Sequence, residues 1–181
     1  MLISSTNSAL LVIDIQEKLL PALNNADQLM TNSQWLIEIA EKISIPTLVT
    51  EQYPKGLGHT SSVLIPFLTS ARILEKEHFS AAEEDHILQA VSQLEKEQLI
   101  LIGAESHVCL LQSAIGFCEQ GYDVYVVTDA VASRKASDYE TALRRMQQNG
   151  IQLVTKEMVA FEWLHKSNTA LFREISQGYL R

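Results

Sequence analysis

This sequence predicts an α/β fold, a three-layer sandwich with a six-stranded parallel sheet between two helical layers. Three observations carry that expectation. Strand-length apolar runs alternate with amphipathic helix-length runs along all 181 residues. Several of the strand-like runs, Ser8–Asp14 among them, are continuously apolar, as strands covered on both faces require. Polar and reactive residues gather just after the strands, at the carboxyl ends where open parallel sheets bind ligands.

The elements follow in order. Residues 8–14 form the first strand. Residues 27–43 form a helix, with Asp27 near its start and Leu29, Leu36, Ile37, Ala40 and Ile43 on one side. Residues 45–50 make the second strand, with Pro46 where a missing N–H costs little. Residues 51–70 read as a long loop broken by Pro54, Gly56, Gly58 and Pro66, a candidate rim for a site. A short third strand spans 72–75 and a helix 83–95. The fourth strand, 99–102, leads into a helix over 107–120 closed by Gly121. Strand five is 123–128. The helix 137–149 opens on Ser137-Asp138-Tyr139-Glu140, a capping-box pattern, and ends at Gly150. Strand six, 151–155, and helices over 157–165 and 168–177 complete a single expected domain, 1–181.

Composition narrows the function. Net charge is −8, with 14 Lys and Arg against 22 Asp and Glu and no basic stripe, so no nucleic-acid partner is expected. No apolar run approaches a membrane span, and the first residues, MLISSTNS, lack a signal-peptide pattern, so a cytoplasmic protein without membrane attachment is expected. The two cysteines, Cys109 and Cys118, lie nine apart on one expected helix, about 13 Å along its axis, too far to bridge. Cys118, mid-helix, reads as a buried small hydrophobe. Trp35 and Trp163 read as core. The C-terminal stretch Met158–Leu164, followed by Leu171-Phe172, has apolar residues to spare and suggests a homo-oligomer.

The strand ends supply the candidate site. Strand one delivers Asp14 and Gln16; strand two Glu51, Gln52 and Tyr53; strand three Lys76 and Phe79; strand four Glu105, His107 and Cys109; strand five Ser133 and Arg134. A carboxylate can take a thiol proton, an ammonium can hold that carboxylate, and helix-start N–H groups can receive an oxyanion. Cys109, in the first turn of a helix beside Lys76, is expected to favour the thiolate. Gln16, Gln52, Tyr53, Phe79, His107 and Ser133 are candidate pocket residues for a small-molecule substrate. Taken singly, Asp14 could be strand-end solvation, Lys76 a surface lysine and Cys109 core filling; their shared register favours a site.

Four motifs in order carry a resemblance over nearly the whole chain: ALLVIDIQEKLLP (9–21), ILEKEHFSA (73–81), GAESHVCLLQSA (103–114) and VTDAVASR (127–134). The sequence resembles the isochorismatase-like cysteine hydrolases, which include nicotinamidase and N-carbamoylsarcosine amidase. EQYPKGLGHT (51–60) is similar to the isochorismatase domain-containing branch. The resemblance implies a Rossmann-like sheet and a catalytic triad of Asp14, Lys76 and Cys109. It implies an oxyanion hole from the backbone N–H groups of Glu105 and Cys109, with a cis peptide between Ala104 and Glu105. It assigns the base to Asp14, leaving His107 to positioning or packing. Nicotinamidases bind a metal through an Asp-x-His segment and a further His after strand two. Residues 51–60 offer only His59, so no metal and no cofactor are expected.

Two function classes follow. One is a hydrolase of a C–N amide-type bond acting through a thioester. The other is a catalytically silent binding or scaffold protein on the same fold. A dinucleotide binder is disfavoured, because Ile13-Asp14-Ile15-Gln16 stands where G-x-G-x-x-G belongs.

Overall fold

The computed structural model describes residues 1–180. Strands β1 (Ser8–Ile13), β2 (Thr47–Gln52), β3 (Arg72–Lys76), β4 (Gln98–Ala104), β5 (Asp123–Ala132) and β6 (Gln152–Val154) form one sheet in the order β3-β2-β1-β4-β5-β6. Every neighbouring pair is parallel. The chain builds outward from β1 to β3, then returns to lay β4 on the other side of β1. Loops leaving β1 and β4 therefore diverge, and a crevice opens at their carboxyl ends.

Helices α1 (Ala26–Lys42), α6 (Lys156–Leu164) and α7 (Ala170–Tyr179) cover one face. Leu29, Leu36, Ile37, Trp163 and Ile175 pack there against Leu10, Val12, Ile100 and Ile102. Helices α3 (Asp85–Ser92), α4 (Cys109–Glu119) and α5 (Ala136–Gln148) cover the other. Ile87, Val91, Leu110, Phe117 and Met146 pack there against Leu11, Ile13, Leu99 and Leu101. All residues of β1, β2 and β4 are buried, which is why their sequences need not alternate.

Several boundaries differ from expectation, for physical reasons. Strand β2 starts after Pro46 and runs two residues further, because Glu51 and Gln52 pair with Glu75 and Lys76 of β3. Strand β5 continues to Ala132, since the lengthened β4 pairs with Val131 and Ala132 after a register shift. The 51–70 stretch holds a short helix, α2 (Pro54–Leu57), and a 3-10 turn at Ile65–Phe67. The expected helix over 83–95 is α3 alone, preceded by a 3-10 turn at Ala81–Glu83. The capping box of α5 is not used: the helix begins one residue before Ser137, with Lys135 in the cap position and no side-chain cap. Trp163 is core and donates its ring N–H to Ser8 Oγ at 2.8 Å. Trp35 is only half-buried, lying under the Lys156 ammonium and against the edge of Tyr179. Cys118, expected to be buried, is partly exposed, near the Asn149 carbonyl.

Two close approaches bring the site elements together. Gly116 of α4 meets the turn after β3; a methyl group there would lie 2.8 Å from Ala82 Cβ and 3.0 Å from Ser80 Oγ. Ser113 Oγ, one turn earlier, accepts the Ala81 N–H at 2.8 Å. At Gly103 the β4 backbone has φ +125°, and a Cβ would sit 2.0 Å from the Ile13 carbonyl oxygen. We expect Gly103→Ala to destabilise the protein by more than about 4 kcal/mol, or to prevent folding, because backbone blocks relief on both counts. Urea unfolding followed by circular dichroism measures this, and a loss under about 1 kcal/mol would contradict it.

Candidate active site

Asp14 follows directly on β1, in a left-handed conformation at φ 49° that a short polar side chain tolerates. Its backbone N–H donates to the Thr50 carbonyl, continuing the β1–β2 ladder, and Thr50 Oγ1 donates to Asp14 Oδ1 at 2.7 Å. Lys76 ends β3, two strands away. Its Nζ lies 2.8 Å from Asp14 Oδ2, and both side chains are fully buried. The ammonium also donates to Gln52 Oε1, to the Phe79 carbonyl at 3.0 Å and to the His78 carbonyl at 3.3 Å. Asp14 Oδ2 receives no well-aligned hydrogen bond although the ammonium is so near. It keeps a lone pair for another donor.

Cys109 is the first residue of α4, buried, with Sγ donating to Gln52 Oε1 at 3.8 Å and near enough to Asp14 and Lys76 to feel both charges. The expected preference for thiolate is not what the site produces. Burial pushes the thiol up to about 12, and the Asp14 charge adds to this more than the Lys76 charge takes away. The resting cysteine is a neutral thiol beside a carboxylate.

The Ala104–Glu105 peptide is cis. Beyond it, the Glu105, His107, Cys109 and Leu111 N–H groups donate to no acceptor among the described residues, whereas those of Ser106, Val108 and Leu110 are engaged. Free donors thus gather at the start of α4, one of them on the thiol's own residue. The Glu105 carboxylate is buried and held by Arg134 through two hydrogen bonds of 2.7 and 2.9 Å.

The candidate pocket residues do not converge. Gln16 is fully buried and ties loops together: Nε2 donates to the Gln52 and Gly58 carbonyls, and Oε1 accepts the Gln52 N–H. Gln52 is buried beside Lys76 and Cys109. Tyr53 is half exposed and borders a hollow of about 250 Å³ with Lys76 and His86. Phe79, also half exposed, borders a larger one of about 550 Å³ over Leu111 and Ile115 of α4. Ser133 lines a small cavity of about 130 Å³ with Asn24 and Tyr139. The half-buried His107 meets Ser133 Oγ through Nδ1 at 3.0 Å, away from any bond to Cys109. Thr50 was not among the sequence candidates; its signal is register, since it pairs with Ile13, the residue before Asp14.

Two further carboxylates shape the rim. Burial pushes Glu51 up, but the Thr60 N–H, the His59 ring and the Thr60 hydroxyl together bring it below its ordinary value. With both oxygens occupied and His59 as the one histidine nearby, residues 51–60 do not fit a metal of the nicotinamidase kind. Glu84 accepts the backbone N–H of His78, then that of Glu77, and is pushed down to about 2 against the cost of burial. This holds the turn whose carbonyls receive Lys76.

Asp14→Asn preserves a residue type at home in the left-handed region. Removing the negative charge removes a cause that raises the thiol, so we expect the Cys109 titration midpoint to fall below about 12. Ultraviolet thiolate absorbance, taken as the difference from Cys109→Ala, measures it. An unchanged midpoint would contradict the placement of Asp14 beside the thiol.

Known proteins share this fold. The Isochorismatase domain family model matches residues 8–158. Isochorismatase family protein 1A of Dictyostelium discoideum is 34% identical over 178 residues, covering 96% of this chain and 86% of that protein. Isochorismatase domain-containing protein 2 of Danio rerio is 33% identical, covering 97% and 88%. A solved structure described as MAR1 ribonuclease from Caenorhabditis elegans has 38% identity and a TM-score of 0.92, covering 100% of this chain and 93% of that one. YcaC from Pseudomonas aeruginosa, solved with hexane-2,5-diol and covalent acrylamide, has 27% identity and a TM-score of 0.91, covering 98% and 91%. The Escherichia coli YcaC gene product, described as an octameric hydrolase of unknown specificity, has 26% identity and a TM-score of 0.92, covering 99% and 91%. On both the sequence and the structural comparison, the chain belongs to the isochorismatase family.

Proposed function

We propose that this protein is a cysteine hydrolase of a C–N amide-type bond in a small molecule, working through a thioester on Cys109. The observation that carries the reading is a buried cysteine at the start of α4 set beside a fully buried Asp14–Lys76 ion pair 2.8 Å across. Asp14 takes the thiol proton as Sγ attacks the carbonyl carbon. The oxyanion is received by the Glu105 and Cys109 N–H groups. Asp14 then gives its proton to the departing amine. A water, deprotonated by Asp14, attacks the thioester; the C–S bond breaks, the acid is freed, and Asp14 returns the proton to Sγ. Lys76 holds Asp14 in place and offsets its charge through both steps.

The family generally includes cysteine hydrolases of amide and ester bonds, and the Pseudomonas relative that holds acrylamide covalently fits a reactive small-amide site. Isochorismate hydrolysis itself, a vinyl-ether cleavage, belongs to members lacking the cysteine, so Cys109 argues against it. The ribonuclease name of the C. elegans relative raises RNA as a substrate. A net charge of −8 opposes binding a polyphosphate backbone.

A panel of small amides, ureides and carbamoyl compounds, with an RNA arm, tests the reading. We expect amine release from at least one small compound, a mass increment on Cys109 in the stalled enzyme, and a loss of about 10³-fold or more in Cys109→Ala. Turnover retained in Cys109→Ala, or cleavage of RNA alone, would overturn it. Binding without turnover would favour the silent scaffold.

We further propose a homo-oligomer. Met158, Phe161 and Leu171 remain exposed on α6 and α7, and Phe79 and Tyr53 remain exposed near the site. Large apolar side chains of this kind are enriched in subunit contacts. Light scattering at micromolar concentration should give a multiple of 20.3 kDa; a monomer mass would refute it.

A further inference from the structure

Gln52 has an arrangement that the mechanism above does not use. Its Oε1 is met from two sides, by the Lys76 ammonium and by the Cys109 thiol at 3.8 Å. Its Nε2 donates to the Glu77 carbonyl at 2.7 Å. Glu77's carbonyl can only accept and Lys76's ammonium can only donate, so the amide has one possible orientation, with oxygen toward the site. The backbone is equally constrained: its N–H donates to Gln16 Oε1 at 2.8 Å and its carbonyl accepts Gln16 Nε2 at 3.0 Å. A fully buried glutamine thus holds a second one in register.

The chemical identity of this acceptor is the informative feature. An ammonium buried between strand ends is most simply neutralised by carboxylates, yet the position beside Lys76 carries an amide. A second carboxylate here would compete with Asp14 for the ammonium. It would also compete for the thiol proton, and it would raise the thiol further, as Asp14 already does. An amide oxygen anchors both groups while taking neither charge nor proton.

We propose that Gln52 is a positioning residue that fixes the Lys76 ammonium and the Cys109 thiol on one uncharged acceptor, leaving Asp14 as the sole proton acceptor. This rests on the cysteine-hydrolase reading of the same site. Its role requires neutrality at Oε1, and a merely structural glutamine has no such requirement.

Acrylamide is a suitable probe, being a small neutral amide. Its addition forms one Sγ–C bond at the β-carbon, and the thiol proton ends on the α-carbon, so no further reactant is needed. Labelling is followed by intact mass in a Cys118→Ser background, with folding checked by circular dichroism. At neutral pH we expect Gln52→Met and Gln52→Glu each to label about tenfold or more slowly than the unmodified site. The two then diverge. As pH is lowered from about 9 to about 5, the Gln52→Glu rate relative to the unmodified site should rise, because protonating the introduced carboxylate restores a neutral acceptor. The Gln52→Met ratio should stay flat. Should Gln52→Met fail to fold, the pH dependence of Gln52→Glu decides alone. A ratio for Gln52→Glu that is independent of pH, or labelling within twofold of the unmodified site, would overturn this inference and leave the hydrolase reading standing. If the full chain with both cysteines labels at Cys118 in preference to Cys109, both fall.

Discussion

An ammonium and a carboxylate, 2.8 Å apart and both stripped of water, impose the conditions that the rest of this site meets. Removing two such ions from water costs several kcal/mol each, and their mutual attraction repays it only when the remaining polar atoms are satisfied. The fold supplies those partners from many directions. Thr50 serves Asp14 from β2, while Gln52 and the carbonyls of His78 and Phe79 serve Lys76. Those carbonyls lie in a turn that is itself pinned, by Glu84 through two backbone N–H groups and by the close contact of Ser80 and Ala82 with Gly116 of α4. Helix α4 also begins with Cys109. One packing contact therefore positions the lysine's acceptors and the thiol together.

The thiol shows how burial and charge compete. A helix start and a neighbouring ammonium both favour thiolate. Here they lose to desolvation and to Asp14. The thiol rests protonated, and in the proposed mechanism its activation is a local proton transfer to Asp14. Lys76 is paired with Asp14 at 2.8 Å rather than with the thiol, whose hydrogen bond goes to Gln52.

Much of this was legible in the sequence, and the reasons differ by element. Continuously apolar runs announced buried parallel strands, and β1 and β4 lie where those runs predict. Asp14, Lys76 and Cys109 were legible because each directly ends a strand or begins the helix after it, so local spacing places them. Gln16 looked like a pocket residue for the same reason and is instead a buried clamp. Which way a strand-end side chain turns depends on partners distant in sequence, here Gly58 and Gln52. The lengths of β2 and β5 were misjudged because pairing with β3 and β4 extends them past their own apolar runs. The capping box of α5 was a local signal overridden by a helix that starts one residue earlier.

The end of β2 contains the division of labour in its smallest form. Side chains alternate faces along a strand, and Thr50, Glu51 and Gln52 use that alternation. Thr50 and Gln52 serve the two partners of the buried ion pair, one donating a hydroxyl to the carboxylate and one offering an amide oxygen to the ammonium. Glu51, between them, takes the backbone N–H and hydroxyl of Thr60 and the ring of His59, closing the loop that follows. The charged carboxylate of the three is thus spent on the loop, and the two neutral groups face the ions. In the proposed mechanism that assignment leaves one base, one cation and one thiol, with no second carboxylate from this strand to compete for the proton.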